Sequence, residues 1–324
     1  MQGRKSVRFP GGPRNQLPLN PPSERGVRLA WRYTGIKVLV TIAPQLERPK
    51  WLRAPAPVGK DYRELKDLVT GLHLHTVCES AACPNVGECW NHRTATFMIL
   101  GNVCTRRCGF CAVQKGAPLE VDYDEPRRVA EACAILGLRY AVITSVNRDD
   151  RKDGGAEMFA LVIAAIRERI AGCRVEVLVP DFQGSRAAMD IVMNAHPDVL
   201  NHNTETVPRL YRQVRLGARY ERSLDMLRYA KQVRPHIPTK SGLMLGLGES
   251  QGEVLQVMRD LRDHYVDIVT LGQYLRPSEK HLPIVRYVPP EEFAEYRQAG
   301  IDMGFTHIES GPLVRSSYHA DSAC

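Results

Sequence analysis

The sequence predicts an α/β protein built on a partial TIM-like barrel of six strand–helix units, a (β/α)6 arrangement. From residue 94 onward, short apolar runs rich in β-branched residues alternate with helical stretches, the order that produces a parallel sheet. A complete eight-unit barrel takes about 250 residues, whereas roughly 215 residues lie between 94 and 308. Six units therefore fit this length better than eight.

Seven strands and six helices are expected in this part of the chain. Each strand is a short apolar run, and each helix carries apolar side chains at intervals of three and four residues. The strands are predicted at residues 96–100, 140–146, 174–179, 199–202, 242–247, 268–271 and 305–308. The helices are predicted at residues 126–136, 156–171, 186–196, 223–233, 253–264 and 291–303.

Two helix starts carry local signals. Ser250 and Glu253 have the spacing of a capping box, in which each side chain satisfies a backbone N–H of the first turn. Pro289 and Pro290 stand just before two glutamates, so proline and acidic residues occupy an expected first helical turn. The last two helices are therefore expected to begin near these residues.

The basic charge of the chain is concentrated near its N-terminus. Of the 44 Lys and Arg and the 36 Asp and Glu, ten and two lie in residues 1–50, so the remainder carries 34 of each sign. A nucleic-acid-binding body carries a basic excess of its own, and this one does not. We expect residues 1–46 to form a disordered basic arm, because several prolines interrupt any helix there.

No apolar stretch predicts a membrane-spanning helix. The longest apolar run near the N-terminus, residues 36–43, has eight residues, whereas a spanning helix needs about 20. The polar, proline-rich start does not match a secretory signal peptide. We therefore expect a cytoplasmic protein, with a mitochondrial or plastid matrix as the alternative because the arm is rich in Arg and poor in acids.

Cysteine is the most informative residue type. The chain has nine cysteines, and six of them lie between residues 78 and 111. Without a secretory signal a disulfide framework is not expected, and clustered cysteines in a reducing compartment bind metal or carry redox chemistry. Cys133 falls in an apolar helical stretch and is expected to be a packing residue. No role is predicted for Cys173 or Cys324.

Three of these cysteines follow the first predicted strand, at the edge of the sheet where α/β barrels hold their active sites. Cys104, Cys108 and Cys111 have three and then two residues between them. A loop this short can wrap three thiolates around one inorganic centre. A cubane iron–sulfur cluster usually takes four cysteines, so three would leave one iron open to substrate. The alternative is zinc, with His92 as a fourth ligand or with two ions sharing all six cysteines.

This triplet, with an aromatic Phe110 before its last cysteine, resembles the cluster-binding loop of the radical S-adenosylmethionine (SAM) enzymes. A second triplet, Cys78, Cys83 and Cys89, resembles the auxiliary-cluster motif of the lipoyl synthase family. Residues 311–320, with the sequence GPLVRSSYHA, resemble that family's closing motif, which contains a serine ligand.

Further segments extend the resemblance along the chain. Residues 144–150, 153–156, 201–206 and 242–249 match motifs of the same family. The resemblance covers roughly residues 47–320, and we expect it not to include the arm that precedes them.

The resemblance implies a radical SAM active site. Cys104, Cys108 and Cys111 would hold a [4Fe–4S] cluster whose open iron chelates SAM. An electron from the reduced cluster would cleave SAM to methionine and a 5′-deoxyadenosyl radical, which abstracts hydrogen from an unactivated alkyl carbon.

The resemblance also implies a second [4Fe–4S] cluster. Cys78, Cys83 and Cys89 would hold it, with Ser317 as the fourth ligand and Ser316 as the alternative. This auxiliary cluster would be the sulfur donor and would be consumed. Without the resemblance, both serines would be interpreted as loop hydroxyls that bond to nearby backbone.

Four residues are implied as SAM contacts by the same resemblance. Gly154 and Gly155, after the second strand, would let the backbone approach the methionyl amino group. Asn203 and Glu205, after the fourth strand, would hydrogen-bond the carboxylate or the ribose. The alternatives are an ordinary helix-entry turn for the glycine pair and a polar loop cap for the other two.

The implied reaction inserts two sulfur atoms at C6 and C8 of a protein-bound octanoyl group, which makes the chain a sulfurtransferase of lipoate biosynthesis. The implied partners are an octanoylated lipoyl carrier domain or H protein, a low-potential electron donor and iron–sulfur cluster repair proteins. Such carriers are acidic, so Arg106, Arg107 and Arg315 are candidate docking residues. A biotin synthase-like enzyme and a two-zinc structural module are the alternatives, and neither nucleic acid nor membrane is expected as a partner.

The chain is expected to divide into four segments. Residues 1–46 form the basic arm, and residues 47–93 form an N-terminal extension with the auxiliary-cluster motif. Residues 94–304 form the partial barrel. Residues 305–324 form a C-terminal segment that closes on the auxiliary cluster.

Overall fold

The computed structural model describes residues 46–54, 60–80, 83–91, 94–318 and 320. The predicted arm therefore lies outside the described residues except for its last position, as do His92 and Cys324. Among the helices described, none is long and apolar enough to cross a membrane.

An eight-stranded sheet forms the frame of the described chain, in the order β1-β2-β5-β6-β7-β8-β9-β10, and β3 and β4 form a separate pair. The strands are β1 (His75–Thr76), β2 (Thr94–Ile99), β3 (Val103–Cys104), β4 (Gln114–Lys115), β5 (Tyr140–Ser145), β6 (Arg174–Leu178), β7 (Val199–Asn201), β8 (Thr239–Leu245), β9 (Ile268–Gln273) and β10 (His307–Gly311). Neighbours from β2 to β10 are parallel, while β1 is antiparallel to β2.

Helices alternate with the parallel strands. The α-helices of the described chain are α1 (Lys60–Gly71), α2 (Val77–Ser80), α3 (Val86–Asn91), α4 (Glu125–Ile135), α5 (Ala156–Arg169), α6 (Arg186–Asn194), α7 (Tyr211–Val214), α8 (Tyr220–Val233), α9 (Gln251–Asp263) and α10 (Pro290–Asp302). Single 3-10 turns lie at Lys50–Leu52, Phe182–Gly184 and Pro208–Leu210. Six strand–helix units result, β2–α4, β5–α5, β6–α6, β7–α8, β8–α9 and β9–α10, which confirms the predicted partial barrel.

The predicted elements of the barrel are present, with shifted ends. The largest strand shifts are at β8, which begins at Thr239 instead of residue 242, and at β10, which ends at Gly311 instead of 308. The predicted capping box is formed, because the Ser250 hydroxyl accepts from the Glu253 N–H at 3.3 Å. The two-residue strands and the four- and six-residue helices were not predicted, because they are too short to carry a periodic pattern.

The apolar faces of the helices explain why they pack on the sheet. In α5, Phe159, Val162, Ile163 and Ile166 are buried at the three- and four-residue spacing of one helix face. Burying one such side chain contributes about 1.5–3 kcal/mol. Strand β2 is buried at every position, as expected for a parallel strand covered on both sides.

A buried polar network lies where the barrel strands begin, at the end of the barrel opposite the cysteine loop. The Lys240 ammonium lies 3.1 Å from both carboxylate oxygens of Glu176, and each side chain of this pair is 1% exposed. The Tyr140 hydroxyl donates to the same carboxylate at 2.9 Å, and the Asn201 amide donates at 2.8 Å. These bonds offset the desolvation of a buried ion pair. Ala320 packs against Tyr140, so the C-terminal segment reaches this end of the barrel.

Candidate functional site

A sharp turn carries the chain from β2 into the loop of Cys104, Cys108 and Cys111. Leu100 has a positive φ of 67°, a conformation that costs a residue with a side chain about 1–2 kcal/mol. Its N–H donates to the buried Glu125 carboxylate at 2.8 Å. This hydrogen bond helps to hold the turn, so the loop leaves the barrel in a fixed direction.

Backbone hydrogen bonds fix the cysteine loop to its surroundings. The Gly109 N–H donates to the Val214 carbonyl at 2.9 Å, and the Gly109 carbonyl accepts from Leu282 at 3.1 Å. The His281 ring Nε2 donates to the Cys111 carbonyl at 3.1 Å. Segments after β7 and β9 therefore hold the loop by hydrogen bonds, although they lie more than 100 residues away in the sequence.

The three thiols of this loop lie within electrostatic reach of one another. Burial raises the pKa of the Cys108 thiol to about 12 and also raises the pKa of Cys111, and the neighbouring thiols raise both further. The Cys104 sulfur accepts from the backbone N–H groups of Arg106 at 3.4 Å and Asn147 at 3.3 Å. The buried thiols of Cys108 and Cys111 ionise more readily beside a positive charge, which is what an iron centre supplies.

A cavity of about 280 Å³ adjoins the loop, and all three of its cysteines line it. Other residues that line the cavity are Asn203, Glu205, Arg215, Arg315 and Ser316. Two of the four predicted SAM contacts, Asn203 and Glu205, are therefore beside the cysteines. A volume of this size suits a small-molecule ligand.

The other two predicted SAM contacts do not line this cavity. Gly154 and Gly155 have positive φ values of 60° and 90° and form the turn before α5. An added Cβ at Gly154 would lie 2.9 Å from Phe182, and one at Gly155 would lie 2.3 Å from Leu100. The described geometry therefore explains both glycines by backbone conformation and packing.

Glu205 has an unusual backbone and a buried carboxyl group. Its φ is 66°, and strained backbone of this kind occurs often at functional sites. Burial raises the pKa of its carboxyl group, while the Arg215 charge opposes that rise. The Asn203 amide donates to the Glu205 carboxylate at 3.2 Å, which orients it.

Arg215 is a functional candidate that the sequence analysis did not identify. Its guanidinium donates to the Ser223 hydroxyl at 3.0 Å and to the Tyr211 hydroxyl at 3.2 Å. His202 bonds the same serine through Nε2 at 3.0 Å, and burial lowers the pKa of His202 to about 3. These neutral groups orient the cation toward the cavity, and nothing in the local sequence distinguishes Arg215 from a surface arginine.

Arg106 was predicted to dock a partner protein, but it forms a buried ion-pair network instead. It donates to the Asp149 carboxylate at 2.7 and 2.8 Å and to the Asp181 carboxylate at 2.5 Å, and its side chain is 6% exposed. Arg222 also pairs with Asp181, at 3.2 Å. Because the guanidinium is buried and paired, it presents no charge to a partner protein. Arg107, by contrast, is exposed.

The second trio lies on two short helices beside β2. Cys78 is part of α2 and is buried, and Cys89 is part of α3. The Cys83 N–H donates to the Cys78 carbonyl at 3.0 Å. Burial raises the pKa of the Cys78 thiol to about 11 and raises the pKa of Cys83. Cys78 and Cys83 are therefore harder to ionise than free thiols, and a cationic centre beside them would favour their thiolate forms.

The C-terminal segment contacts residues that neighbour the second trio in sequence. The Asn85 amide donates to the Leu313 carbonyl at 2.7 Å, and the Tyr318 hydroxyl donates to the Glu88 carboxylate at 3.2 Å. Burial raises the pKa values of Cys83 and Tyr318. The positive charge of Arg315 opposes the first rise, and the charge of Cys89 adds to the second. The two serines between Arg315 and Tyr318 lie on this segment, and Ser316 lines the cavity of the first trio.

Gly272, which no sequence signal identified, makes this closure sterically possible. It stands near the end of β9, where an added Cβ would lie 2.0 Å from the Val314 carbonyl oxygen. Only glycine allows the C-terminal segment to pass so near the strand.

The donor set fits clusters better than single ions. In the ranges that are described, no group of three or more His, Cys, Asp or Glu side chains converges as the ligands of one metal ion. The zinc alternative for Cys104, Cys108 and Cys111 therefore has no convergent ligand group among the residues described, and His92 lies outside these ranges. In a cubane each thiolate binds a different iron, so the ligands need not converge on one point.

Comparison with protein families gives two matches. Residues 98–261 match the model of the radical SAM superfamily, and residues 22–83 match that of the N-terminal domain of lipoyl synthase of the radical SAM family. The second match begins at residue 22, so the expectation that the resemblance starts at residue 47 was wrong. Part of the basic arm belongs to the matched domain.

Curated relatives are similar over most of the chain. It is 64% identical over 273 residues to the lipoyl synthase of Koribacter versatilis (strain Ellin345), covering 84% of this chain and 90% of that protein. It is 63% identical over 273 residues to the lipoyl synthase of Rubrobacter xylanophilus (strain DSM 9941 / JCM 11954 / NBRC 16129 / PRD-1), covering 84% and 85%.

Solved structures resemble the fold at low identity. Methylornithine synthase (PylB) is 14% identical with a TM-score of 0.51, covering 84% of this chain and 89% of that one. The hydrogenase maturase HydG is 15% identical with a TM-score of 0.51, covering 81% and 70%. These likenesses support the partial barrel alone.

Proposed function

The chain belongs to the lipoyl synthase family of the radical SAM superfamily, and from that membership we propose its reaction. It inserts two sulfur atoms, at C6 and C8, into an octanoyl group carried by a lipoyl carrier domain or H protein. It is a radical SAM sulfurtransferase that uses SAM and [4Fe–4S] clusters. The observation that carries the proposal is the pair of cysteine trios: one lies beside a ligand-sized cavity, and next to the other the Asn85 amide donates to the Leu313 carbonyl of the C-terminal segment.

We assign Cys104, Cys108 and Cys111 to the cluster that binds SAM. When bound, the two clusters supply the electron that cleaves SAM and the sulfur that enters the product. The protein holds the three thiolates on one loop, donates N–H groups to the Cys104 sulfur and leaves the cavity side open to substrate.

We assign Asn203 and Glu205 to SAM, because both line the cavity with the cysteines. The Asn203 amide and the Glu205 carboxylate offer hydrogen bonds to a carboxylate, amine or ribose. We keep Gly154 and Gly155 in this proposal through their position: they form a turn next to Leu100, and the cysteine loop begins at Leu100.

We assign Cys78, Cys83 and Cys89 to the auxiliary cluster, with Ser317 as the fourth ligand. Support comes from the two residues that flank the serine pair: the Arg315 charge opposes the rise in the pKa of Cys83, and the Cys89 charge adds to the rise in the pKa of Tyr318. Ser316 is the alternative ligand, and it lines the cavity. An oxygen ligand binds iron more weakly than a thiolate does, so the iron bound by the serine is the one suited to leave the cluster first.

The Ser316→Ala and Ser317→Ala variants separate the two assignments. Each variant is reconstituted without oxygen, and the iron and sulfide bound per chain are measured together with lipoyl product. We expect Ser317→Ala to lose product while Ser316→Ala keeps it. The opposite result would identify Ser316 as the cluster ligand.

The partners we propose are an octanoylated carrier, a low-potential electron donor and cluster repair proteins, with the cytoplasm as the compartment. Arg107 and Lys115 are the cations best suited to attract an acidic carrier, since both are exposed and Lys115 lines the cavity. Rim charges of this kind act mainly on association rate. Salt should therefore weaken carrier binding in the wild type more than in an Arg107→Met variant.

The central experiment is anaerobic turnover with an octanoylated carrier peptide, reductant and SAM. We expect the peptide to gain the mass of two sulfur atoms in place of two hydrogens. The purified protein should carry about eight irons per chain when both clusters are intact. A colourless protein with stoichiometric zinc and no product would overturn the proposal.

A further inference from the structure

A long irregular segment after β9 lies beside the loop of the first cysteine trio. Residues 274–289, here called the β9–α10 segment, join these two elements with neither helix nor strand in their 16 positions. An ordered connection of more than about 12–15 residues without secondary structure is usually functional. Among the described residues that line the cavity of the first trio, none belongs to this segment. It would therefore act on a ligand in the cavity indirectly, through the cysteine loop that it contacts.

Two consecutive residues of the β9–α10 segment hold the last turn of the cysteine loop. The Leu282 N–H donates to the Gly109 carbonyl at 3.1 Å, and the His281 ring Nε2 donates to the Cys111 carbonyl at 3.1 Å. An added Cβ at Gly109 would lie 2.9 Å from the Leu282 side chain, so the segment and the loop are also packed together. The two hydrogen bonds fall on either side of Phe110, and they fix the backbone that carries the last thiol of the trio.

The hydrogen-bond partners of His281 define which of its ring nitrogens carries the proton. The Cys111 backbone carbonyl can only accept, so Nε2 must be the protonated nitrogen. In a neutral imidazole of this form Nδ1 is an acceptor, and the Ser278 hydroxyl lies 2.9 Å from it and can donate. The bond at one ring nitrogen sets the state of the other, so Ser278 stabilises the tautomer that donates to Cys111.

The turn that carries His281 is itself held in place. The Arg276 Nε donates to the His281 carbonyl at 3.0 Å, and its Nη2 donates to the Glu279 carbonyl. The Tyr274 hydroxyl donates to the Leu282 carbonyl at 2.9 Å. These bonds tie the turn to the end of β9, so the His281 ring has a fixed position beside the cysteine loop.

We propose that His281 is a positioning residue of the SAM site, which holds the Cys111 carbonyl and thereby sets the direction of the Cys111 thiol. This inference rests on the proposed assignment of Cys104, Cys108 and Cys111 to the cluster that binds SAM. The carbonyl and the thiol belong to one residue, so a change in its backbone torsion angles moves the sulfur. A misplacement of about 1 Å at a site that depends on alignment can cost about 100-fold. The bond from His281 therefore improves SAM binding at the cluster.

Three variants of the full-length chain test this role. His281→Leu removes the ring donor, whereas His281→Gln keeps an N–H donor near the position of Nε2. His264→Leu is the matched control, because the His264 ring also bonds to a backbone carbonyl, that of Asp260, at 2.7 Å. His264 follows α9 at the end of the barrel opposite the cysteine loop.

Two measurements separate a positioning role from a purely structural one. Amide hydrogen exchange of residues 104–111 is followed in the iron-free full-length chain, where it reports on the loop alone. KM for SAM and kcat of SAM cleavage are then measured in protein reconstituted without oxygen. Loss of folded protein lowers only kcat, whereas a misplaced ligand loop weakens SAM binding and raises KM.

We expect His281→Leu to speed amide exchange at residues 109–111 about 5-fold, the effect of losing one hydrogen bond. KM for SAM should rise roughly 10-fold, a usual cost of removing a residue that supports a metal ligand. His281→Gln should restore most of both values, and His264→Leu should change neither.

Unchanged exchange, or an unchanged KM for SAM, in His281→Leu would overturn this inference. A wild-type protein that holds its clusters and cleaves no SAM would instead overturn the proposed function. In that case the exchange comparison in the iron-free chain would still decide whether His281 holds the loop.

Arg276→Met gives a second route if His281→Leu does not fold. It removes both bonds from the guanidinium to the turn and keeps the His281 ring. We expect exchange at residues 109–111 and KM for SAM to rise about 2- to 3-fold. Unchanged values in this variant would overturn the role of His281.

Discussion

The two cysteine trios of this molecule are built in opposite ways. Cys104, Cys108 and Cys111 share one loop after β2, and backbone hydrogen bonds tie that loop to barrel segments. The auxiliary trio begins on α2 and ends on α3, two helices of four and six residues. Its outer side depends on contacts between chain positions 228 and 230 residues apart.

Because the two trios are held by different parts of the chain, we expect SAM cleavage and sulfur insertion to respond to different substitutions. The cysteine loop of the first site is held by hydrogen bonds to barrel segments alone. The second trio lies beside a junction of the C-terminal segment with Asn85 and Glu88, where contacts with large sequence separation must form. Variants of the first trio should therefore stop SAM cleavage, and variants of the second should stop only sulfur insertion.

The largest effect is expected from Cys104→Ala. Removal of one ligand from the loop leaves too few thiolates for the cluster, so formation of 5′-deoxyadenosine should fall on the order of 10³-fold or more. Cleavage is measured by chromatography under anaerobic conditions. The matched control is Cys173→Ala, a buried cysteine outside both trios, which should keep cleavage. Equal loss in both variants would contradict the site assignment.

Cys83→Ala should separate SAM cleavage from sulfur insertion. We expect lipoyl product to fall at least about 100-fold, because the auxiliary trio loses a ligand. SAM cleavage should continue at a rate close to that of the wild type, since the first loop is unchanged. Both products are quantified in one reaction. Lipoyl product at the wild-type level would show that this trio is not the sulfur donor.

Asp181→Asn tests how much the ion network of Arg106 stabilises the folded protein. The substitution leaves Arg222 unpaired and Arg106 with one carboxylate fewer, and breaking a buried ion pair of this kind costs about 3 kcal/mol or more of unfolding free energy. Chemical denaturation of the anaerobic protein measures the loss. Asp124→Asn is the control, because its exposed pair with Arg127 is screened by water. Similar stability of the two variants would refute the structural role of the network.

The His202 network makes stability depend on pH. Burial lowers the pKa of His202 to about 3 in the folded protein, while an unfolded histidine titrates near 6.5. The folded state therefore keeps its full stability above pH ~6.5 and loses it as the pH falls, by about 2 kcal/mol at pH ~5. A His202→Gln variant should show a flatter pH dependence in denaturation. Parallel curves for the two proteins would contradict this prediction.

The smallest effect is expected from Tyr318→Phe, which removes the hydrogen bond to Glu88. At this partly exposed junction the loss is about 1 kcal/mol. We expect slightly faster iron loss from the auxiliary cluster and no change in SAM cleavage. Iron release to a chelator at fixed temperature gives the comparison. An effect on cleavage equal to that on iron loss would show that the two sites are coupled through the C-terminal segment.

Most of the barrel could be predicted because its signals are local. Apolar periodicity located the six helices, and the pair Ser250 and Glu253 indicated the start of α9 correctly. The loop of Cys104 could likewise be located from the spacing of its cysteines. The short elements around the auxiliary trio gave no such signal, since their positions depend on contacts with the barrel and the C-terminal segment.

The fold class, the positions of the two cysteine trios and the family motifs could be predicted from the sequence, because these features depend on residue type and spacing along the chain. The folded chain was needed to show that Arg106 is buried in an ion network, that Arg215 lines the cavity and that Gly272 leaves room for the C-terminal segment. The physical reason is that burial, charge pairing and steric clearance depend on neighbours that the fold brings together from distant positions.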